Sequence, residues 1–170
     1  QDIANSGWNY TSSTSFITLS FWVKSSVSQD FKGYVRTPDG SSHSYAYSTG
    51  TLSANTWTKI VKTIPGNSNL TIDNDTGQGF QIYLWPYIGT TYTDAGVTEN
   101  AWTSYSGSAR TPVSATDWWT TNDATFEITG VQLEVGSQTT PFEHRTFAEE
   151  LLLCQRYFQV LGGSNGTYDS

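Results

Sequence analysis

Three sets of side chains in this sequence have the types and spacing for chemistry. The first is acidic. Glu127, Glu134, Glu143, Glu149 and Glu150 gather in the last third of the chain, and a glycosidase needs two carboxylates facing one cleft. Local roles suit them better. Glu127 falls on the solvent parity of a strand, Glu143 stands beside Arg145 in a turn, and Glu149 follows Thr146 at a helix start. No Ser–His pairing is suggested, with the two histidines at 43 and 144 far apart. No catalytic residue is assigned, and the expectation is a protein that is not an enzyme. The second set is Asp73 and Asp75, two apart in DNDTG. Oxygen ligands at that spacing can hold a structural calcium. An EF-hand loop would need another oxygen ligand at 77 and a Glu at 84, where this chain has Gly and Leu. The competing reading is a polar turn between strands.

The third set is aromatic. The chain has seven Trp and ten Tyr, while charged residues make up only 14%. Sugars stack their C–H faces on Trp and Tyr and exchange hydrogen bonds with nearby polar groups. Trp22, Tyr83 and Trp85 lie on strand parities opposite the apolar stripe. Trp118 and Trp119 form a pair in a polar loop between Asp117 and Thr120. These five are the candidate carbohydrate-binding residues. The competing reading for each is burial under a loop or in a subunit contact.

The elements that must carry them read as strands. FITLSFWVK, 16–24, alternates: Ile17, Leu19, Phe21 and Val23 face one way, Thr18, Ser20, Trp22 and Lys24 the other. Further strands are expected at 31–36, around Tyr45 and Tyr47, at 56–64 up to Pro65-Gly66, and at 79–89, where Pro86 marks an end, edge or bulge. Residues 90–124 have no clean period and read as long loops with one short strand. In TFEITGVQLEV the apolar parity changes phase, so a bulge near Gly130 is expected to keep Phe126, Ile128, Val131, Leu133 and Val135 on the core face. Thr146 and Glu149 form a capping box, which starts a helix at Phe147 that runs to about Val160, before Gly162-Gly163. Phe147, Leu151, Cys154 and Phe158 share one stripe, widened by Leu152. So apolar a helix must cover a sheet or another chain. Cys154 is expected to be a small buried hydrophobe.

These elements predict an all-β jelly-roll sandwich with a short C-terminal α-helix. The sandwich spans 1–140, the turn and apolar helix 141–161, and a flexible tail or the cut end of a longer protein 162–170. The net charge of −7 argues against a nucleic-acid partner, whose phosphates demand a basic face. No apolar run approaches the roughly 20 residues a membrane helix needs.

The stretch ITGVQLEVGSQTTPFEHRTFAEELLLCQRYF, within 126–158, resembles a segment near the end of many bacteriophage and prophage tail-fibre and other virion proteins. Its pattern is G-V-Q-L-E-x-G-x-x-x-T-P-F-E-x-R, then E-L-x-x-C-Q-R-Y-F. LSFWVKSS at 19–26, the TW strand and IPG at 56–66, and the acidic turn at 73–77 extend the resemblance upstream. It implies a jelly roll similar to carbohydrate-binding modules, carried on a virion appendage outside the cell. It implies a homotrimer, with Phe147, Leu151, Leu152 and Phe158 as helix-packing residues. The expected partners are host cell-surface polysaccharide and other virion proteins. The alternatives are a purely structural assembly or decoration module, and a carbohydrate-binding module of a secreted polysaccharide-degrading enzyme.

Overall fold

The computed structural model describes residues 3–155. Among the described residues, seven strands build two antiparallel sheets: β1 (Phe16–Ser25), β2 (Asp30–Thr37), β3 (His43–Thr51), β4 (Thr58–Pro65), β5 (Gln81–Trp85), β6 (Trp102–Ser104) and β7 (Phe126–Val135). One sheet has the order β4-β1-β7 and the other β5-β2-β3-β6. The fold is an all-β, jelly-roll-like sandwich. The alternation of β1 decides its faces. Ile17, Leu19, Phe21 and Val23 pack against Phe31 and Val35 of β2 and Tyr45 and Tyr47 of β3. Each such side chain taken from water contributes roughly 1.5–3 kcal/mol. Trp8, from the irregular segment before β1, joins the core, and its indole Nε1 donates to the Ser15 carbonyl at 3.3 Å.

The expected bulge is present in β7. Thr129 pairs with Trp22 and Gln132 with Ser20, so Gly130 and Val131 together stand opposite Phe21. Gly130 has φ 58°, the left-handed conformation that glycine adopts at no steric cost. Val23 pairs with Ile128, Leu19 with Leu133 and Ile17 with Val135, so the β7 apolar residues share the core parity. Parity did not bring burial. Ile128, Val131, Leu133 and Val135 remain 37–51% exposed, because the sandwich is open along the β7 edge. Leu133 lies beside Ile3, Phe80 and Ile82 in a groove along this open side. Of the five residues, Phe126 packs on the core, its ring 4.9 Å from that of Phe31.

Loops cover part of the outer face of each sheet. After β7 the chain folds back over the three-stranded sheet. Thr18 Oγ1 donates to the Gly136 carbonyl at 2.8 Å, and Lys59 Nζ donates to Thr139 Oγ1 at 2.9 Å. That is why Thr18, on the outward parity, is fully buried. Residues 86–112 lie on the four-stranded sheet. They include a single 3-10 turn (Thr90–Tyr92) and the short strand β6, and a four-residue helix α1 (Asp117–Thr120) follows.

The chain divides into two compact units at the Thr140–Pro141 junction. In the second, Glu143 pairs with Arg145 at 2.6 Å. The helix α2 (Phe147–Gln155) opens on the expected capping box: the Thr146 backbone N–H donates to Glu149 Oε2 at 2.9 Å, and Glu149 N–H donates to Thr146 Oγ1 at 3.3 Å. The hydrogen bonds from Thr146 hold the Glu149 carboxyl below the usual carboxylate range. None of the nine α2 residues is buried, and Phe147 and Leu152 are 82% and 68% exposed. Cys154 is therefore exposed rather than the buried hydrophobe expected from its stripe. Phe158, the expected helix continuation and the tail lie outside the described residues. Thr146→Ala is expected to cost about 1 kcal/mol of helix stability, read as reduced ellipticity at 222 nm. Unchanged helix content would show that the cap contributes nothing.

Candidate functional site

The outward face of the four-stranded sheet carries the main aromatic cluster. Phe31, Gly33 and Val35 of β2 face the core, so Lys32, Tyr34 and Arg36 face outward. The β2–β5 register sets Lys32 opposite Trp85, Tyr34 opposite Tyr83, and Arg36 opposite Gln81. Two outward rows result, one per strand. The Tyr83 and Trp85 rings stack at 5.2 Å with an interplanar angle of 19°. The Tyr34 ring lies 4.7 Å from Tyr83 and 5.3 Å from Trp85. Tyr34 is the buried floor of the cluster; Tyr83, Trp85 and Arg36 are half-buried.

The 86–112 segment completes the face. The Tyr105 backbone N–H donates to the Ser42 carbonyl at 2.9 Å, which brings the Tyr105 ring within 6.1 Å of Tyr34. The Arg36 guanidinium stacks on Tyr105, 3.9 Å from the ring centroid, while its Nε donates to Ser42 Oγ at 2.8 Å. Arg110 stacks in the same way on Tyr92 at 4.4 Å. At the other end of the face, Lys32 clamps the loop to the sheet. Its ammonium reaches Asp30 Oδ2 at 2.7 Å and Glu99 Oε1 at 2.5 Å. Burial alone would pull the Lys32 pKa down, but hydrogen bonds and charge from Asp30 and Glu99 outweigh it and hold the pKa above the ordinary value. The Tyr34 phenol is pushed up, first by burial and then by Tyr105; Arg110 acts in the opposite sense. Gln81 Oε1, beside Arg36 in register, has no hydrogen-bond partner among the described residues.

Such a face can stack planar or C–H-rich surfaces and offer cationic donors at its edge. Strand parity identified Tyr83 and Trp85. Tyr34 lies on the outward parity of the expected strand 31–36 and was legible by the same rule, yet sequence reasoning missed it. Arg36, Lys32, Tyr105 and Glu99 were missed too. Tyr105 and Glu99 come from a stretch without periodicity, and no signal there marks them.

The other candidate aromatics are elsewhere. Trp119 is 64% exposed at the tip of α1 and stacks on Tyr87 at 5.3 Å. Trp118 turns inward: its Nε1 donates to the Thr125 carbonyl at 3.1 Å, and its ring meets Phe126 edge-on at 6.5 Å. It is partly buried against the core. Trp22 is 40% exposed on the outer face of the other sheet. Trp57 lies exposed under the Lys24 ammonium, 5.1 Å away.

The acidic groups have local partners. Glu127 pairs with Lys24 at 2.8 Å. Glu134 accepts hydrogen bonds from Thr140, which hold its carboxyl below the usual range. In the DNDTG turn, Asp75 Oδ1 accepts from the Gly77 N–H at 2.7 Å, and the Asp73 N–H donates to Asp39 Oδ2 at 2.9 Å. These bonds account for the geometry of the turn. Among the described residues no group of three or more His, Cys, Asp or Glu is placed to hold a metal ion, and Asp73 and Asp75 gain no third carboxylate ligand for calcium. No helix among them is long and apolar enough to cross a membrane. Comparison with protein-family models, with curated proteins and with solved structures found no match.

Proposed function

We propose that this chain is a non-catalytic carbohydrate-recognition module of a bacteriophage virion appendage. Its sugar platform is the outward face of the four-stranded sheet. The observation that carries this reading is the continuous ladder Trp85–Tyr83–Tyr34–Tyr105. Those rings lie on the side of the sheet away from the sandwich core, and Tyr83, Trp85 and Tyr105 stay partly exposed there. The virion setting, the host-polysaccharide partner and the homotrimer rest on the resemblance at 126–158 and at the upstream motifs.

The test is tryptophan fluorescence during titration with a panel of bacterial surface polysaccharides. A saturable shift is expected for at least one of them. Trp85→Ala is expected to weaken binding at least tenfold, about 1.4 kcal/mol, while Trp119→Ala leaves it near the wild-type value. The reverse pattern would move the site to α1. No shift across the panel would sink the reading. It would favour a second one, an assembly or decoration module, which the exposed Phe147 and Leu152 of α2 support. Light scattering at micromolar concentration then gives the oligomeric state that this second reading requires.

A further inference from the structure

We infer that the glycan bound on this face is anionic, bearing carboxylate or phosphate substituents that Arg36 and Arg110 receive. The inference rests on the carbohydrate-recognition reading and names the class of ligand for the same platform.

The argument begins with charge. The chain carries 15 Asp and Glu against 8 Lys and Arg, so unpaired cations are scarce. Three cations belong to this face, and they are treated differently. Lys32 is neutralised by two carboxylates, Asp30 and Glu99. Arg36 and Arg110 have no carboxylate within ion-pair distance among the described residues. Instead, each guanidinium sits over a tyrosine ring, its Cζ 3.9 Å from the centroid for Arg36 and 4.4 Å for Arg110. Each spends its Nε on the protein: Arg36 on Ser42 Oγ, and Arg110 on the Gly107 carbonyl at 2.9 Å. The ring contact and the Nε bond together restrain each guanidinium. The two terminal nitrogens, the pair that grips a carboxylate or phosphate in bidentate fashion, have no acceptor among the described residues. Both arginines act on the same ring cluster. Arg36 shares Tyr105 with Tyr34, and Arg110 is close enough to Tyr34 to act electrostatically on its phenol. A neutral glucan would leave two oriented cations unused at the edge of the stacking surface. An anionic sugar ring stacked on Tyr83 and Trp85 would use both.

The experiment compares a polyuronate, the same polymer after carboxyl reduction, a polyol-phosphate polymer and a neutral glucan. Binding is followed by intrinsic fluorescence with wild type, Arg36→Gln, Arg110→Gln and Trp85→Ala, all checked for unchanged Tm. The expected result is binding to the polyuronate or the polyol phosphate. Each Arg→Gln change should weaken it about tenfold, and high salt should weaken it further. The anion bound identifies the substituent: loss on carboxyl reduction assigns a carboxylate, and binding of the polyol phosphate alone assigns a phosphate. Equal binding of neutral and anionic polymers, or Arg→Gln variants that bind as wild type, would overturn the inference while carbohydrate recognition stands. Binding to none of the four would overturn both. Arg36→Lys adds a further check, because it keeps the charge but loses the planar fork. Full wild-type affinity in that variant would argue against bidentate capture.

Discussion

Gly33→Ala is expected to cost this fold on the order of 3 kcal/mol, a fall in Tm of about 10 °C for a chain of this size. Gly33 lies on the core face of β2, and its backbone has no unusual conformation to protect. Space is what requires glycine there. A Cβ would meet the backbone carbonyl oxygen of Tyr83 on β5 and stand 2.6 Å from Cζ of the Tyr47 ring. Tyr47 crosses over Gly33 so that its hydroxyl can donate to that same carbonyl, at 2.9 Å. A methyl group cannot be accommodated by a side-chain rotation, because one obstacle is backbone in the β2–β5 ladder and the other is a fully buried ring. Relief requires β5 to move, and β5 carries Tyr83 and Trp85. The near-UV circular dichroism of the stacked rings should therefore weaken along with stability. Gly107→Ala is the control, since a Cβ there meets nothing within 4 Å. If Gly33→Ala melts within a degree or two of wild type, the account of β2–β5 packing is wrong.

Stability should also fall steeply in alkali. Tyr47 is fully buried, and burial pushes its phenol well above the ordinary tyrosine value. Tyr34 is shifted the same way, by burial and then by Tyr105. In the unfolded chain both ionise near pH 10. Above that pH the folded state holds protons that the unfolded state has released, so unfolding becomes more favourable as pH rises. The stabilisation is complete below about pH 10. Above it, each tyrosine removes up to about 1.4 kcal/mol per pH unit. Lys32 adds to the trend. Its folded pKa is raised, so its contribution is complete below the unfolded value and is lost as pH climbs through the folded one. Urea midpoints measured from pH 8 to pH 11.5 should be level and then drop. Tyr47→Phe should start lower, having lost the bond to the Tyr83 carbonyl, and decline less steeply. A flat profile to pH 11.5 would contradict the burial of both phenols.

The platform shows where sequence reasoning stops. Parity placed Tyr83 and Trp85 outward, and the register with β2 then brought them to Tyr34. That register is a tertiary fact, since β2 and β5 are more than 40 residues apart in the chain. Tyr105, Glu99 and Arg110 arrive from a segment whose composition predicts only loop. They are held there by non-local bonds such as Tyr105 N–H to the Ser42 carbonyl and Lys32 to Glu99. Trp118 and Trp119 are adjacent and look equivalent in sequence. One is drawn inward by the Thr125 carbonyl and Phe126, and the other faces solvent.

By itself the sequence determined the fold class, most of the strands, the Gly130 bulge and the capping box at Thr146. Each is a local matter: side chains alternate with period two, glycine alone reaches left-handed φ freely, and a Thr-x-x-Glu spacing closes a helix start on itself. Tertiary structure alone decided which apolar faces are covered. Val131, Leu133 and Val135 have the right parity and are still exposed, because the sandwich is open along β7, whereas Ile60 and Ile64 on the other edge strand, β4, are covered and buried. Thr18 has the wrong parity and is fully buried, because a loop from the far end of the same unit lies over it. Parity is set by the backbone of one strand, whereas burial is set by whatever the rest of the chain places above it.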